Sequence, residues 1–278
     1  MSESDKPLFS RITWSGLTHP GKFRKNNEDA FLGLNFDATE VRHLGKTGEG
    51  SLDKTDYVFA VSDGLGGANA GEFASRIAVD KITELLPKSF AFNTWKIERG
   101  FQDILSELFN RIHQEMLKMG RIYEECAGMG ATLSLGWFTP GKMYFCHVGD
   151  SRIYYLPKDG KMIQLTHDHT HVGYLRREGK INEREQRTHP RGSVLNQALG
   201  AQTQFLDPHL GMVEPAAGDS FVFCTDGVVD GLWDHHLEDL ARLPEGEDKY
   251  ATAAQRLVES AVEESGRDNA TAVVVRVQ

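Results

Sequence analysis

Two stretches of this 278-residue chain, VFAVSDG (58–64) and VFCTDG (222–227), have the same form: an apolar run ends abruptly in a hydroxyl residue, an aspartate and a glycine. Neither run alternates polar with apolar residues, so each reads as a strand covered on both faces. A third apolar run, CHVGDSR, ends at Asp150, and two acidic turns, Asn27-Glu28-Asp29 and Arg267-Asp268-Asn269, stand just ahead of AFLGLNF and ATAVVVRV. Any one of these is an ordinary turn. Together they predict carboxylates meeting at one edge of packed sheets, where like charges would force some to protonate. A divalent cation relieves that repulsion. Carboxylates and backbone carbonyls suit Mg²⁺ or Mn²⁺, whereas zinc favours Cys and His. Gly64, having no side chain, lets its carbonyl approach an ion closely.

The rest of the chain sets these strands in an α+β frame. RITWSGLTH and DAFLGLNF read as a first strand pair joined by a Gly- and Asn-rich turn. The polar, Gly-rich stretch 43–56 reads as a loop at a mobile hairpin tip. Phe73, Ala74, Ile77, Ala78, Ile82 and Leu85 form one helical stripe, closed by Pro87. Phe101, Ile104, Leu105, Leu108, Ile112 and Met116 form a second. ATLSLGWF, KMYFCHVG, SRIYYL and KMIQL follow as a meander with turns at Pro140-Gly141 and Asp159-Gly160. A polar, His- and Arg-rich segment with short helices comes next. A last stripe (Tyr250, Ala253, Ala254, Leu257, Val258, Ala261) precedes the final strand. Sequential hairpins make the sheets antiparallel, with helices on their outer faces. No repeat or domain linker interrupts the chain.

Composition narrows the function. The net charge is −9, with basic and acidic residues mixed, so a nucleic-acid-coating surface is not expected. No apolar stretch approaches the ~20 residues of a membrane helix, and MSESDKPLFS lacks a signal core. The three cysteines are dispersed and indicate neither a disulfide framework nor a zinc knuckle; Cys146 and Cys224 sit in apolar runs as small buried hydrophobes. A cytoplasmic, reducing location is expected.

Two cations held ~4 Å apart share and acidify a water, giving a nucleophile for in-line attack on phosphorus. A bidentate arginine suits the phosphate, and Arg24 stands just ahead of the Asn-Glu-Asp turn. Competing motifs are weaker. DGLGGANAG lacks the Lys-Ser/Thr of a nucleotide loop. In THDHTH (166–171), Asp168 reads as a helix N-cap at the entry to a flap rather than His167, His169 and His171 as metal ligands. DHH (234–236) starts a short helix and is too brief to count as a phosphoesterase signature. No cysteine is followed by a phosphate-binding arginine loop.

GKFRKNNEDAF, AVSDGLGGANAGEFAS, GATLSLGWF, CHVGDSRIYYL, QLTHDHT, SVLNQALG, FCTDGVVDGL and RDNATAVVV occur in that order. By these eight motifs, covering about 12–277, the chain resembles the metal-dependent serine/threonine protein phosphatases of the protein phosphatase 2C (PPM) family, in their compact bacterial form. The resemblance implies an α-β-β-α sandwich in a single catalytic domain over 12–278, after a polar tail at 1–11, with a flap near the site at about 166–195. It implies hydrolysis of phosphoserine and phosphothreonine in proteins by a water or hydroxide bridging two Mn²⁺ or Mg²⁺ ions. Asp63 would bridge both ions. Glu28 and the Gly64 carbonyl would complete one, Asp226 and Asp268 would hold the other, and Asp150 with Asp226 would hold a third, weaker ion. Asp29 and Asn269 would orient these ligands and Arg24 would clamp the phosphate. Expected partners are phosphorylated proteins, a Ser/Thr kinase among them, acted on by a monomer with no nucleic-acid or membrane partner. Some members carry a general-acid histidine after the Asp-Gly; here that position is Leu65, so the acid is unassigned. A phosphatase-like binding module would have a broken acidic set, and the set here is intact. A small-molecule phosphatase on the same scaffold would share every motif.

Overall fold

The computed structural model describes residues 9–37, 40–66, 70–94, 100–202 and 206–278. Two antiparallel sheets face each other. One runs β10 (Ile163–Gln164), β9 (Arg152–Leu156), β12 (Ser220–Cys224), β13 (Ala270–Val277), β1 (Arg11–His19), β4 (Thr47–Ser51). The other runs β11 (His209–Val213), β8 (Lys142–Val148), β7 (Leu133–Thr139), β5 (Asp56–Leu65), β2 (Asp29–Phe36), β3 (Val41–His43), with the short β6 (Gly130–Ala131) added to the end of β5. Helices α1 (Ala70–Thr94) and α2 (Phe101–Ile122) cover the second sheet, and α5 (Asp226–Gly231), α6 (Asp234–Arg242) and α7 (Ala253–Glu264) cover the first. Two short helices, α3 (His171–Arg177) and α4 (Glu183–Thr188), lie between β10 and β11.

The unbroken apolar strands are explained by this layering. In β5, Tyr57, Phe59 and Val61 point into the core between the sheets, while Val58 and Ala60 point at α1 and α2. In β12 and β13, Phe221, Phe223, Val273 and Val275 fill the same inner core, while Val222, Cys224, Ala272 and Val274 meet the helices on the far side. Each Val or Phe among them contributes about 1.5–3 kcal/mol on burial, which fixes the register of every central strand.

The structure corrects several expectations. β1 and β2 are not a hairpin: β1 pairs with β13 and β4, β2 with β5 and β3, in opposite sheets. The Gly- and Asn-rich segment 20–28 is therefore a crossover. The meander is likewise split, because β8 belongs to one sheet and β9 to the other, with Gly149-Asp150-Ser151 as the crossing. Residues 43–56 are not all loop: β4 pairs with β1 along five residues. Its glycines make room, since a Cβ at Gly48 would strike the Trp14 ring and one at Gly50 the Tyr57 hydroxyl. Helix α1 continues past Pro87, because proline removes one backbone bond but its φ is already helical. Phe73, placed on the buried stripe, is 52% exposed. Residues 1–8 lie outside the described ones, but Phe9 is buried in the inner core and the Ser10 and Arg11 N–H groups donate to the Gln278 carbonyl.

Candidate metal centre

The acidic residues gather at one end of the sandwich because of how the strands run. The ends of β1, β5, β8 and β12 and the starts of β2 and β13 all lie there: His19 pairs with Ala270, Asp29 with Asp63, and Cys224 with Ala272. Asp63 continues the inward-facing row Tyr57, Phe59, Val61 of β5 past the last apolar layer. Asp150 sits in the crossing after β8, and Asp226 opens α5 directly after β12.

Carboxylate oxygens of Asp63, Asp150 and Asp226 lie within 4.8 Å of one another. This is the only such group of three metal-ligand side chains among the described residues. All three are held above the ordinary carboxylate range, first by desolvation. Asp63 is raised further by Asp226, Asp29 and Asp150, and Asp226 by Asp150 and Asp230. Asp150 is pushed up to about 7 by burial, then by Asp168. A carboxylate set that resists ionisation this way is what a divalent cation satisfies.

Glu28 stands on the other side of Asp63. Its carbonyl accepts from the Gly64 N–H at 3.0 Å. Gly64, Gly71 and Glu28 are in such close contact that no side chain fits: a Cβ at Gly64 would land on the Gly71 carbonyl, and one at Gly71 would sit 2.7 Å from Glu28 Oε2. The backbone of β5, the first turn of α1 and the Glu28 carboxylate thus form one cradle, which fits an oxygen-ligated cation.

Supporting contacts are polar and specific. The Asp63 N–H donates to Thr132 Oγ1 (2.9 Å), which is 2.7 Å from Ser151 Oγ. Asp29 faces Asp63 across the β2–β5 pair and accepts from Thr225 Oγ1 at 2.7 Å, so it touches the residue preceding Asp226; burial pushes its carboxyl up to about 7. Asn269 accepts from the Glu28 N–H (2.8 Å) and donates to the carbonyls of Pro20 and Asn26. Its side chain therefore fixes the 20–28 crossover, and only its backbone N–H reaches Asp268 Oδ1, at 2.9 Å. Asp268 itself is 2.6 Å from Arg24, whose guanidinium it holds in the charged form. Thr132, Ser151, Thr225 and Gly71 were given no role from sequence; for Ser151 and Thr225 a hydroxyl beside an acidic position was the available signal.

The segment around Asp168 is tied to this end. Asp168 is not a helix cap: Thr170 caps α3, accepting from the Gly173 N–H. Asp168 is buried and receives Arg152 through Nε at 2.9 Å and Nη2 at 2.7 Å, with Gln164 and Gln186 donating to it as well. His169 accepts from the Gly149 N–H at 3.1 Å, and His167 stacks on His209 with ring centroids 3.8 Å apart. These contacts tie the histidines to β8 and β11. A cavity of about 240 Å³ is lined by Asp150, Asp226 and Asp230 together with Arg176, Arg187, His189 and Ser193. No helix among the described residues is long and apolar enough to cross a membrane.

Comparison with known proteins agrees with this geometry. The family model described as "Protein phosphatase 2C" matches residues 47–261. The serine/threonine protein phosphatase PstP of Mycobacterium tuberculosis is 32% identical over 250 residues, 88% of this chain but 45% of PstP, so the chain spans about half that relative's length. The serine/threonine phosphatase stp of Listeria innocua is 28% identical over 246 residues, 86% of this chain and 92% of its own. A crystal structure of the PstP catalytic domain in complex with two manganese ions superposes with a TM-score of 0.73 at 27% identity, covering 96% of this chain and 98% of that one. The chain belongs to the protein phosphatase 2C family of serine/threonine protein phosphatases.

Proposed function

We propose that this chain removes phosphate from phosphoserine and phosphothreonine in proteins, using two Mn²⁺ or Mg²⁺ ions at the carboxylate end of the sandwich and a third, weaker site beside them. The observation that carries the reading is the meeting of Asp63, Asp150 and Asp226 within 4.8 Å, from three separate strand ends. When bound, such ions acidify water and draw charge from the phosphate. In this reading Asp63 is shared by the two core ions, Glu28 and the Gly64 carbonyl serve one, and Asp226 and Asp268 serve the other. Asp150 with Asp226 serves the third site. Asp29 and Thr132 hold the strand ends in place, and Asn269 holds the Glu28 segment. Arg24 exchanges Asp268 for the substrate phosphate.

The three cysteines are unpaired and buried, which suits a reducing, cytoplasmic setting. A Ser/Thr kinase among the substrates is part of the proposal and follows from the family resemblance.

The test is release of phosphate from a phosphothreonine peptide with Mn²⁺, then with EDTA, then after thiol alkylation. The reading expects activity with Mn²⁺, none after chelation and no effect of alkylation. Turnover that survives EDTA would rule out the metal-dependent mechanism. Activity confined to small phosphate esters would redirect the assignment to a small-molecule phosphatase.

A further inference from the structure

We propose that His169, with His147, positions Asp150 for the third, weaker ion by holding both backbone polar groups of Gly149. The proposal rests on the phosphatase reading above. Of the three gathered aspartates, Asp63 belongs to β5 and Asp226 to α5, whereas Asp150 lies outside every strand and helix. The β7–β8 register ends at the pair Leu133 and Val148, and the β9–β12 register begins at the pair Arg152 and Cys224. Gly149, Asp150 and Ser151 therefore cross between the sheets with backbone groups that need partners elsewhere. Without such partners, nothing fixes where the crossing holds its carboxylate.

Two histidines supply the partners. The Gly149 carbonyl accepts from His147 Nε2 at 3.0 Å and from the His169 N–H at 2.7 Å. The Gly149 N–H donates to His169 Nδ1 at 3.1 Å. A carbonyl can only accept, so His147 carries its ring proton on Nε2, and its Nδ1 accepts from Ser134 Oγ at 2.8 Å. His169 carries its ring proton on Nε2 for the matching reason. Burial pushes its imidazole down to about 4, so the ring stays neutral and Nδ1 stays an acceptor. His169 is anchored in turn, because its carbonyl accepts from the Asn196 N–H at 2.7 Å. Gly149 itself has φ +111°, and a Cβ there would strike Thr132, so the crossing has one backbone shape for the histidines to hold.

The residues after Asp150 are held as well. Ser151 Oγ is 2.7 Å from Thr132 Oγ1, and Arg152 is paired with buried Asp168, the residue before His169. One dipeptide, Asp168-His169, thus grips both the residue ahead of Asp150 and the second residue after it. That two-point hold sets the direction of the Asp150 carboxylate before any ion arrives, as partners of metal ligands do. Asp63 and Asp226 are placed by their own strand and helix, so the hold acts on the Asp150 site and spares the core pair.

The test deletes one acceptor and then returns it. His169→Phe keeps a ring without Nδ1, and His169→Asn puts a carbonyl oxygen close to the place of Nδ1. Calorimetric titration of the full chain with Mn²⁺ reads the ions, and the weak binding step is the one that Asp150→Asn abolishes. His169→Phe should weaken that step about tenfold, within the range for groups that orient metal ligands, and leave the tight step within about twofold. His169→Asn should bring the weak step back to within about threefold of the parent. In metal-free protein the Gly149 amide should exchange with solvent about tenfold faster in His169→Phe, as one lost hydrogen bond implies, and recover in His169→Asn. An unchanged weak step in His169→Phe, or a parent with no Asp150-dependent step, would overturn the assignment. So would equal losses in His169→Phe and His169→Asn, which would mark a packing role, or equal weakening of the tight and weak steps. A parent that binds Mn²⁺ in both steps but releases no phosphate from a phosphothreonine peptide would instead refute the phosphatase reading, and the positioning result would stand.

Discussion

Arg24 Nη2 lies 2.6 Å from Asp268 Oδ2, so the cation expected to hold phosphate and a carboxylate expected to hold metal are paired with each other. The pair bridges the 20–28 crossover and the start of β13. Its side chains are 51% and 35% exposed, and an exposed pair of this kind contributes only about 0–1 kcal/mol. Asp268 can therefore be exchanged for a phosphate at little cost.

Arg24→Ala is expected to raise KM for a phosphothreonine peptide about tenfold, with a smaller effect on kcat, because the charge-assisted contact to phosphate is made on binding. Steady-state kinetics at saturating Mn²⁺ measure this. An unchanged KM would remove Arg24 from substrate binding.

Gly71→Ala tests the cradle. The added methyl would sit 2.7 Å from Glu28 Oε2 and 2.9 Å from the Gly64 carbonyl, while alanine itself favours the first turn of α1. The expected outcome is a folded protein whose tightest Mn²⁺ affinity by calorimetry falls about tenfold, or about 1.4 kcal/mol. Parental Mn²⁺ affinity in this variant would show that Glu28 and Gly64 do not share an ion.

Asp56 offers a stability test away from the centre. Its Oδ2 accepts from Trp137 Nε1 at 2.9 Å, and burial pushes its carboxyl from 3.8 up to about 6. Between those values the folded chain keeps a proton that the unfolded chain has lost. The stability from Asp56 is thus complete below pH 4 and falls as pH rises through 6. Asp56→Asn keeps the acceptor without the charge, so it should stabilise the protein by about 1–2 kcal/mol at pH 8 and by almost nothing at pH 4. Urea melts at the two pH values decide; a variant equally or less stable at pH 8 would contradict the buried-charge account.

Much of this architecture was legible from the sequence. Unbroken apolar strands required cover on both faces, and acidic residues at their ends required a cation or protons. Pairing was less legible. A turn that joins two strands of one sheet and a crossover between sheets use the same Gly, Asn, Asp and Ser residues, so β1–β2 read as a pair and β8–β9 as part of one meander. β4 was hidden because its glycines exist to seat Trp14 and Tyr57, a contact with no local signature. Asp168 resembled a cap because its partner, Arg152, lies on another strand. The Thr132 hydroxyl escaped notice, and the Thr225 hydroxyl was seen without its role, because their work depends on strands that meet only in three dimensions.

The most direct measurement is turnover of a phosphothreonine peptide by Asp63→Asn with saturating Mn²⁺, with folding checked by thermal melting in EDTA. Asp63 lies at the centre of the acidic group, and asparagine keeps its shape while removing the charge and the repulsion. The account predicts a protein at least as heat-stable as the parent in EDTA, with phosphate release reduced about 1,000-fold, a loss of about 4 kcal/mol in transition-state stabilisation. A folded Asp63→Asn protein that kept most of the parental Mn²⁺-dependent rate would contradict it.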